Sequence, residues 1–166
     1  MMIMRSRRLS AAAGDLSGAL AIGATLRGAL DRAVVGHDDA KRALVLALLA
    51  REHCYLEGAP GAAKTMLAER AAAAAGLATF THQFHRDTRL ADLVGDTALH
   101  RAPCAASGGE VVSARLRPGG VLACELAILD DVTRAPGEAL NALLRVLNER
   151  RFESAGRNGG GGTGLS

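Results

Sequence analysis

The segment Cys54-Tyr-Leu-Glu-Gly-Ala-Pro-Gly-Ala-Ala-Lys-Thr65 decides the fold of this chain. A short apolar run breaks into a glycine-containing stretch, and a helix-forming segment opens at Lys64. A strand, a loop, an ammonium group, a hydroxyl and a helix in this order form a phosphate cradle, because loop N–H groups and the helix N-terminus face the same anion. We therefore predict a phosphate-binding loop made of Gly58, Ala59, Pro60, Gly61, Ala62, Ala63, Lys64 and Thr65.

Two side chains of this loop have predicted roles. Lys64 is placed to reach the β and γ phosphates, and the Thr65 hydroxyl is placed to ligate Mg²⁺. The pattern G-x-x-x-x-G-K-[ST] is matched except that Ala63 occupies the position of the second glycine. Only two of the 20 basic residues are lysines, Lys41 and Lys64, which weighs against a chance match in a chain rich in alanine and glycine.

A pair of carboxylates follows a second apolar run, Leu126-Ala-Ile-Leu-Asp130-Asp131. Ligands of parallel α/β sheets lie at the carboxyl ends of the strands, where this pair is expected. We predict that Asp130 holds the metal and that Asp131 orients or deprotonates the attacking water. Taken alone, such a pair is more often a solvated strand end or a helix cap. Its occurrence together with Lys64 and Thr65 favours a metal–nucleotide site.

These motifs resemble those of the MoxR-type AAA+ ATPases, in particular the RavA-like branch. Alanine before the lysine is common in that family, and the run from Leu129 to Pro136 is similar to the RavA-like branch. The segment from Leu90 to Gly95 resembles the approach to an inserted hairpin of the family. Val34-Val35-Gly36-His37 resembles a segment beside the adenine, and the resemblance implies nucleotide-binding roles for Val35, Gly36 and His37.

The fold class that we predict is α/β, a three-layer P-loop NTPase (AAA+) core with an incomplete parallel sheet flanked by helices. The resemblance implies the strand order 5-1-4-3-2, of which this chain supplies strands 1, 2 and 3. We expect the gap left by strand 4 either to stay open or to close by pairing of strands 1 and 3. The sequence also departs from the family at Asp131, where a glutamate is usual.

Three segments are predicted along the chain. Residues 1–14 are expected to be a disordered N-terminus, and residues 15–154 to form a partial AAA+ domain. The Gly-rich residues 155–166 are expected to be a disordered tail. Nothing after Phe152 resembles a sensor strand, an arginine finger or a helical lid, which we interpret as truncation.

The cofactors that the motifs predict are ATP and Mg²⁺. The resemblance implies ATP hydrolysis in a hexameric ring, with protein remodelling or chaperone-like activity on a protein partner. We expect this chain alone to be inactive, since it lacks the finger and the lid. A catalytically inactive nucleotide-binding or docking fragment is the alternative, and a small P-loop kinase is disfavoured because the residues after Asp131 match the AAA+ pattern.

Composition limits the possible partners, the cellular location and the type of core. The net charge is +3 without a long basic run, which disfavours nucleic acid as a partner. No apolar segment approaches about 18 residues, so a membrane span is not expected. The three cysteines lack metal-site spacing and favour a reducing, cytoplasmic location for a soluble protein. Arginines near the N-terminus leave an organellar matrix as the alternative. Only 2% of the residues are aromatic, which predicts an aliphatic core.

Overall fold

The computed structural model describes residues 2–3, 16–103, 110–149, 151–152 and 163–164. The contacts divide the chain into two compact units. The first unit comprises Met1–His85 and Cys124–Ala135, and the second comprises Arg86–Ala123 and Pro136–Ser166. The domain predicted over residues 15–154 is therefore divided between two units, each of which is described by itself.

Three helices belong to the first unit. They are α1 (Leu16–Ala33), α2 (Asp38–Ala50) and α3 (Lys64–Ala75). Gly76 ends α3 in the left-handed conformation, and its N–H donates to the carbonyls of Ala72 and Ala73. A glycine adopts this conformation without steric cost, which is why it terminates the helix.

The first unit contains a four-stranded sheet. Its strands are β1 (Met2–Ile3), β2 (Cys54–Tyr55), β3 (Thr79–Gln83) and β6 (Leu126–Asp130), in the order β2-β1-β6-β3. β3 and β6 are parallel and pair along their whole length. The first four residues of β6 are all buried, as expected for a parallel strand covered on both faces.

The position between β2 and β6 differs from both outcomes expected from the sequence. The gap is neither open nor closed by direct pairing, because β1 lies in it and pairs antiparallel with both neighbours. The expectation of a disordered N-terminus is thus corrected for Met2 and Ile3. Residues 4–15 lie outside the described part of the chain.

Aliphatic side chains and Cys54 form the core of the first unit. The largest of them belong to α1, α2 and β6, including Leu30, Leu44 and Ile128, which are completely buried. On α3 the buried face is mostly alanine, so its backbone can approach the other elements closely. The prediction of an aliphatic core is confirmed for this cluster, and the buried aromatic Phe84 lies in the same unit outside it.

A charge network joins α1 to α2 at the edge of this core. Lys41 is only 2% exposed, and its Nζ donates to Asp31 Oδ1 at 2.8 Å. Arg27 pairs with Asp31 and also with Asp38 at the start of α2. These two cations lower the pKa of Asp31 from its ordinary value. The network therefore compensates the burial of Lys41, which would be costly without a partner.

The second unit is built around a β-hairpin. Its described elements are α4 (Leu90–Val94), β4 (Gly95–Pro103), β5 (Glu110–Pro118), a 3₁₀ turn (Gly120–Leu122), α5 (Gly137–Glu149), β7 (Arg151–Phe152) and β8 (Thr163–Gly164). The hairpin pairs from Gly95 with Pro118 to Pro103 with Glu110.

The C-terminal segment differs in part from the predicted disorder. Thr163 and Gly164 pair antiparallel with Phe152 and Arg151. The other residues of the predicted tail lie outside the described residues. Among the described helices, none combines the length and the apolar character that crossing a bilayer requires.

Candidate nucleotide site

The loop between β2 and α3 curls around the ammonium group of Lys64. Lys64 Nζ donates to the carbonyl oxygens of Gly58 and Ala59, both at 2.8 Å. Gly61 has φ +79° and Ala63 has φ +53°, both in the left-handed region. These two left-handed residues turn the chain, and the second of them is the N-cap of α3. A non-glycine residue in this conformation costs about 1–2 kcal/mol, so Ala63 stores strain in the loop.

The N-terminus of α3 lacks a capping side chain. Ala63 occupies the N-cap position and makes no side-chain hydrogen bond there. The first turn of an α-helix leaves N–H groups without intrahelical acceptors, and the helix dipole adds positive potential at this end. An uncapped helix start beside a glycine loop and an ammonium group is therefore suited to an anion such as a phosphate.

Thr65 connects this loop to the carboxylates that follow β6. Its Oγ1 donates to Asp130 Oδ2 at 2.7 Å, and the N–H of Asp131 donates to Asp130 Oδ1 at 2.9 Å. The Thr65 hydroxyl is the main cause that lowers the pKa of Asp130, against the opposing effect of burial, with the Asp131 amide contributing as well. Asp130 is thus held as a carboxylate beside a hydroxyl.

This pair of oxygen ligands fits a magnesium ion. Mg²⁺ prefers hard oxygen ligands, and in nucleotide sites it binds through one or two protein groups, substrate phosphates and waters. Thr65 and Asp130 supply a hydroxyl and a carboxylate next to the predicted phosphate position. The chemistry of these donors therefore agrees with the metal role predicted for both residues.

Asp131 has an unusual backbone conformation and two side-chain neighbours. Its φ is +51°, a region that aspartate tolerates better than most residues with longer side chains. Its Oδ2 accepts a hydrogen bond from Gln83 Nε2 at 3.2 Å and lies 3.6 Å from Arg134 Nη1. The backbone conformation gives a physical reason for a short carboxylate at this position.

Gln83 was not identified from the sequence. It ends β3 and lies opposite Asp130 in the parallel register. A polar residue at the carboxyl end of a predicted strand was the available signal, but the pairing of β3 with β6 had to be known to place it beside Asp131.

A cavity of about 440 Å³ joins these groups within the first unit. Its size falls in the range of small-ligand pockets. It is lined by the segments Tyr55–Gly58 and Pro60–Met66, by Gln83, and by the segment Asp130–Thr133. The structure therefore brings together the loop, the metal-site pair and Asp131, as their predicted roles require.

The predicted adenine segment is placed elsewhere. Gly36 and His37 both have positive φ and connect α1 to α2, and Val35 is 97% exposed. The described residues that line the cavity do not include Val35, Gly36 or His37. Their role in nucleotide binding stays a prediction, although an exposed valine beside a helix connection is available to contact a base.

Comparison with known proteins agrees with this geometry. Residues 53–160 match the family model of the AAA domain, dynein-related subfamily. Over 76% of its length the chain is 34% identical to the protein named Chaperone MoxR1 of Mycobacterium tuberculosis, and it covers 31% of that relative. The chain belongs to the MoxR-type AAA+ ATPases. The predicted family and the P-loop NTPase fold are thereby confirmed.

A second relative gives a similar result. The protein named Protein MoxR of Methylorubrum extorquens is 34% identical over 130 residues, which are 76% of this chain and 35% of that relative. The chain thus spans about a third of the length of the curated relatives it matches. No solved structure matches the chain significantly.

Proposed function

We propose that this chain binds Mg·ATP in the cavity between the phosphate loop and Asp130, and that the site hydrolyses ATP. The observation that carries the proposal is the contact between Thr65 and Asp130, which joins the loop to the acidic strand end at 2.7 Å. Two motifs that occur far apart in the sequence converge on one cavity, and each supplies the groups that a metal-bound phosphate requires.

In this proposal, one group of residues binds the phosphates and another binds the metal. The loop amides and the start of α3 bind the phosphate oxygens, and Lys64 exchanges its carbonyl partners at Gly58 and Ala59 for phosphate. Thr65 and Asp130 hold Mg²⁺, which neutralises charge on the phosphates when bound. Asp131 orients the attacking water and accepts its proton.

The relatives support the role that we propose for the whole protein. One of them is named a chaperone, and membership of the AAA+ family suggests an oligomeric assembly. We therefore propose that hydrolysis drives remodelling of a protein partner, within an assembly that includes neighbouring subunits. Related phosphoryl-transfer sites gain about 10³–10⁵ in rate from an arginine finger, so an isolated chain is expected to turn over slowly or not at all.

A second candidate function is nucleotide binding without turnover. It is favoured by the environment of Asp131, whose carboxylate oxygen is engaged by Gln83 and faces Arg134. A general base must be within hydrogen-bond reach of the attacking water, and these contacts compete with that arrangement. The two candidates share the binding site and differ only in the chemical step.

Binding is tested by titrating a fluorescent ATP analogue with Mg²⁺ and, separately, with EDTA. We expect Mg²⁺ to strengthen binding in the wild type, and Thr65→Ala to remove most of that gain while binding in EDTA is retained. Thr133→Ala is the matched control, since Thr133 is an exposed threonine lining the same cavity. Absence of binding in the wild type with Mg²⁺ refutes the proposal.

A further inference from the structure

The sheet of the first unit depends on a strand outside the family match. β1 (Met2–Ile3) lies between β2 and β6, whereas the AAA domain match begins at residue 53. Among the described strands, β1 is the partner through which β2 joins the sheet. The phosphate loop therefore follows a strand whose ladder connection is made by residues near the N-terminus of the sequence.

The register of this connection is defined on both sides. Ile3 is opposite Cys54 on one side and Ile128 on the other, and Met2 is opposite Tyr55 and Leu129. A strand in the middle of a sheet directs its backbone N–H and C=O groups to both neighbours. Two residues thus tie β2 to β6 through main-chain pairing, independent of the identity of their side chains.

The pairing also sets a distance that the site requires. Neighbouring strands lie about 4.8 Å apart, so one intervening strand keeps β2 and β6 about 9.6 Å apart. β2 leads into the loop that carries Thr65, and β6 ends at Asp130. Thr65 and Asp130 are in hydrogen-bond contact at this spacing. Direct pairing of β2 with β6 would halve the separation, and an open gap would leave it undefined.

We propose that β1 is a positioning strand that completes the sheet and holds the phosphate loop in register with Asp130. The effect of β1 on Mg²⁺-dependent ATP binding rests on the function proposed above, whereas the position of β1 in the sheet does not. A disturbance of β1 therefore affects the metal-dependent part of nucleotide binding. Binding that uses only the loop and Lys64 persists.

The place of β1 is tested by disulfide cross-linking in the full chain. Ile3→Cys pairs with the native Cys54, and Met2→Cys is combined with Tyr55→Cys. Adjacent pairs of an antiparallel ladder alternate between hydrogen-bonded and non-hydrogen-bonded types, and their Cα separations of about 4.5–5.5 Å lie within the disulfide range. One of the two variants therefore places its cysteines at a non-hydrogen-bonded pair, where the Cα atoms are closer together.

Oxidation is carried out with diamide at alkaline pH, because burial raises the pKa of the Cys54 thiol. We expect peptide mapping to find the 3–54 or the 2–55 linkage as the main intramolecular product. Failure of both variants to form their linkage, with the chain folded by circular dichroism, overturns the placement of β1. A linkage between two copies, detected as a covalent dimer, overturns it as well.

The positioning role is tested with Ile3→Pro, since proline removes a ladder donor and is poorly tolerated in a central strand. Ile3→Val is the matched control because it keeps the backbone N–H. We expect Ile3→Pro to reduce the gain in nucleotide affinity from Mg²⁺ by about 10- to 100-fold, the range found when groups that orient metal ligands are removed. Binding in EDTA is expected to be unchanged.

Hydrogen exchange separates the possible results. In Ile3→Pro we expect faster amide exchange in β2 and, in β6, at whichever of Ile128 and Leu129 directs its N–H to β1. We expect α3 to remain protected. The positioning role is overturned if Ile3→Pro leaves amide exchange unchanged. It is also overturned if Mg²⁺ raises the nucleotide affinity of Ile3→Pro as much as that of the wild type. If the wild type binds no nucleotide but its exchange responds to Ile3→Pro, the proposed function fails and the strand inference stands. If Ile3→Pro unfolds the chain, the same measurement is made on the oxidised Ile3→Cys protein, in which a disulfide fixes β1 to β2. If this protein retains the gain in nucleotide affinity from Mg²⁺, the positioning role is supported. If it loses that gain, the role is refuted.

Discussion

Thr65 Oγ1 and Asp130 Oδ2 are joined by a 2.7 Å hydrogen bond, although 65 positions separate the two residues in the sequence. The bond links the first turn of α3 to the end of β6. It stabilises the ionised form of Asp130, and it holds a hydroxyl oxygen and a carboxylate oxygen side by side. The site is thus organised around a contact between loop and strand, with Lys64 and Asp131 on either side.

Replacement of Lys64 by alanine should abolish nucleotide binding. The variant removes the ammonium group around which the loop carbonyls of Gly58 and Ala59 converge, and with it the positive charge that faces phosphate. Arg70→Ala is the matched control, because it removes one positive charge from an exposed position of the same helix. Thermal shift with Mg·ATP is the measurement. Equal stabilisation of Lys64→Ala and the wild type would contradict the assignment of the loop.

Ala63→Gly should stabilise the protein by about 1 kcal/mol, since glycine adopts a φ of +53° without the steric cost of a Cβ. The same substitution at Ala73, inside α3, should destabilise by about 1 kcal/mol. Chemical denaturation of both variants tests the opposite signs. A loss of stability in Ala63→Gly would show that the left-handed conformation is not strained.

Asp131→Asn should leave nucleotide affinity and stability nearly unchanged and slow any hydrolysis by about 10²–10⁴-fold. Asparagine tolerates the left-handed conformation of this position and keeps the size of the side chain, but it accepts no proton from water. Steady-state phosphate release measures the effect, with Lys64→Ala as the contamination control. Turnover equal to that of the wild type would remove Asp131 from the chemical step.

Gly95→Ala should destabilise the base of the hairpin by at least about 2 kcal/mol. Gly95 has φ +98°, and a Cβ there would lie 2.2 Å from the Arg117 carbonyl oxygen and 2.4 Å from the Gly119 nitrogen. Gly137→Ala is the control, because it meets nothing within 4 Å and should change stability by less than about 0.5 kcal/mol. Denaturation and limited proteolysis of the hairpin report the difference. Equal protease resistance in both variants would be the contrary result.

Asp31→Asn should destabilise the protein at neutral pH, with an effect that disappears in acid. Lys41 and Arg27 lower the pKa of Asp31 below its ordinary value of 3.8. The stabilisation is therefore complete above the pKa of the unfolded state and is lost as the pH falls through the lower, folded value. Urea denaturation of wild type and variant across this range is the measurement, with the exposed Asp39→Asn as the charge-matched control. A difference independent of pH would contradict the linkage.

Much of the site could be read from the sequence because its groups are local. The phosphate loop needs only a strand end, a glycine-containing turn and a helix start, and these are contiguous from Cys54 to Thr65. The start of α3 was likewise predicted, since Lys64 opens a run of helix-forming residues. The buried strand β6 followed from four successive apolar residues before Asp130.

Contacts between distant segments were decided by the tertiary structure. Gln83 reaches Asp131 only because β3 and β6 pair in parallel register, and no local pattern specifies that pairing. The left-handed conformation of Asp131 is also set by the turn after β6. The place of β1 is the clearest case, because strand pairing uses backbone groups that every residue carries. The sequence by itself therefore determined the loop, the acidic strand end and the start of α3, whereas folding decided which strand fills the space between β2 and β6.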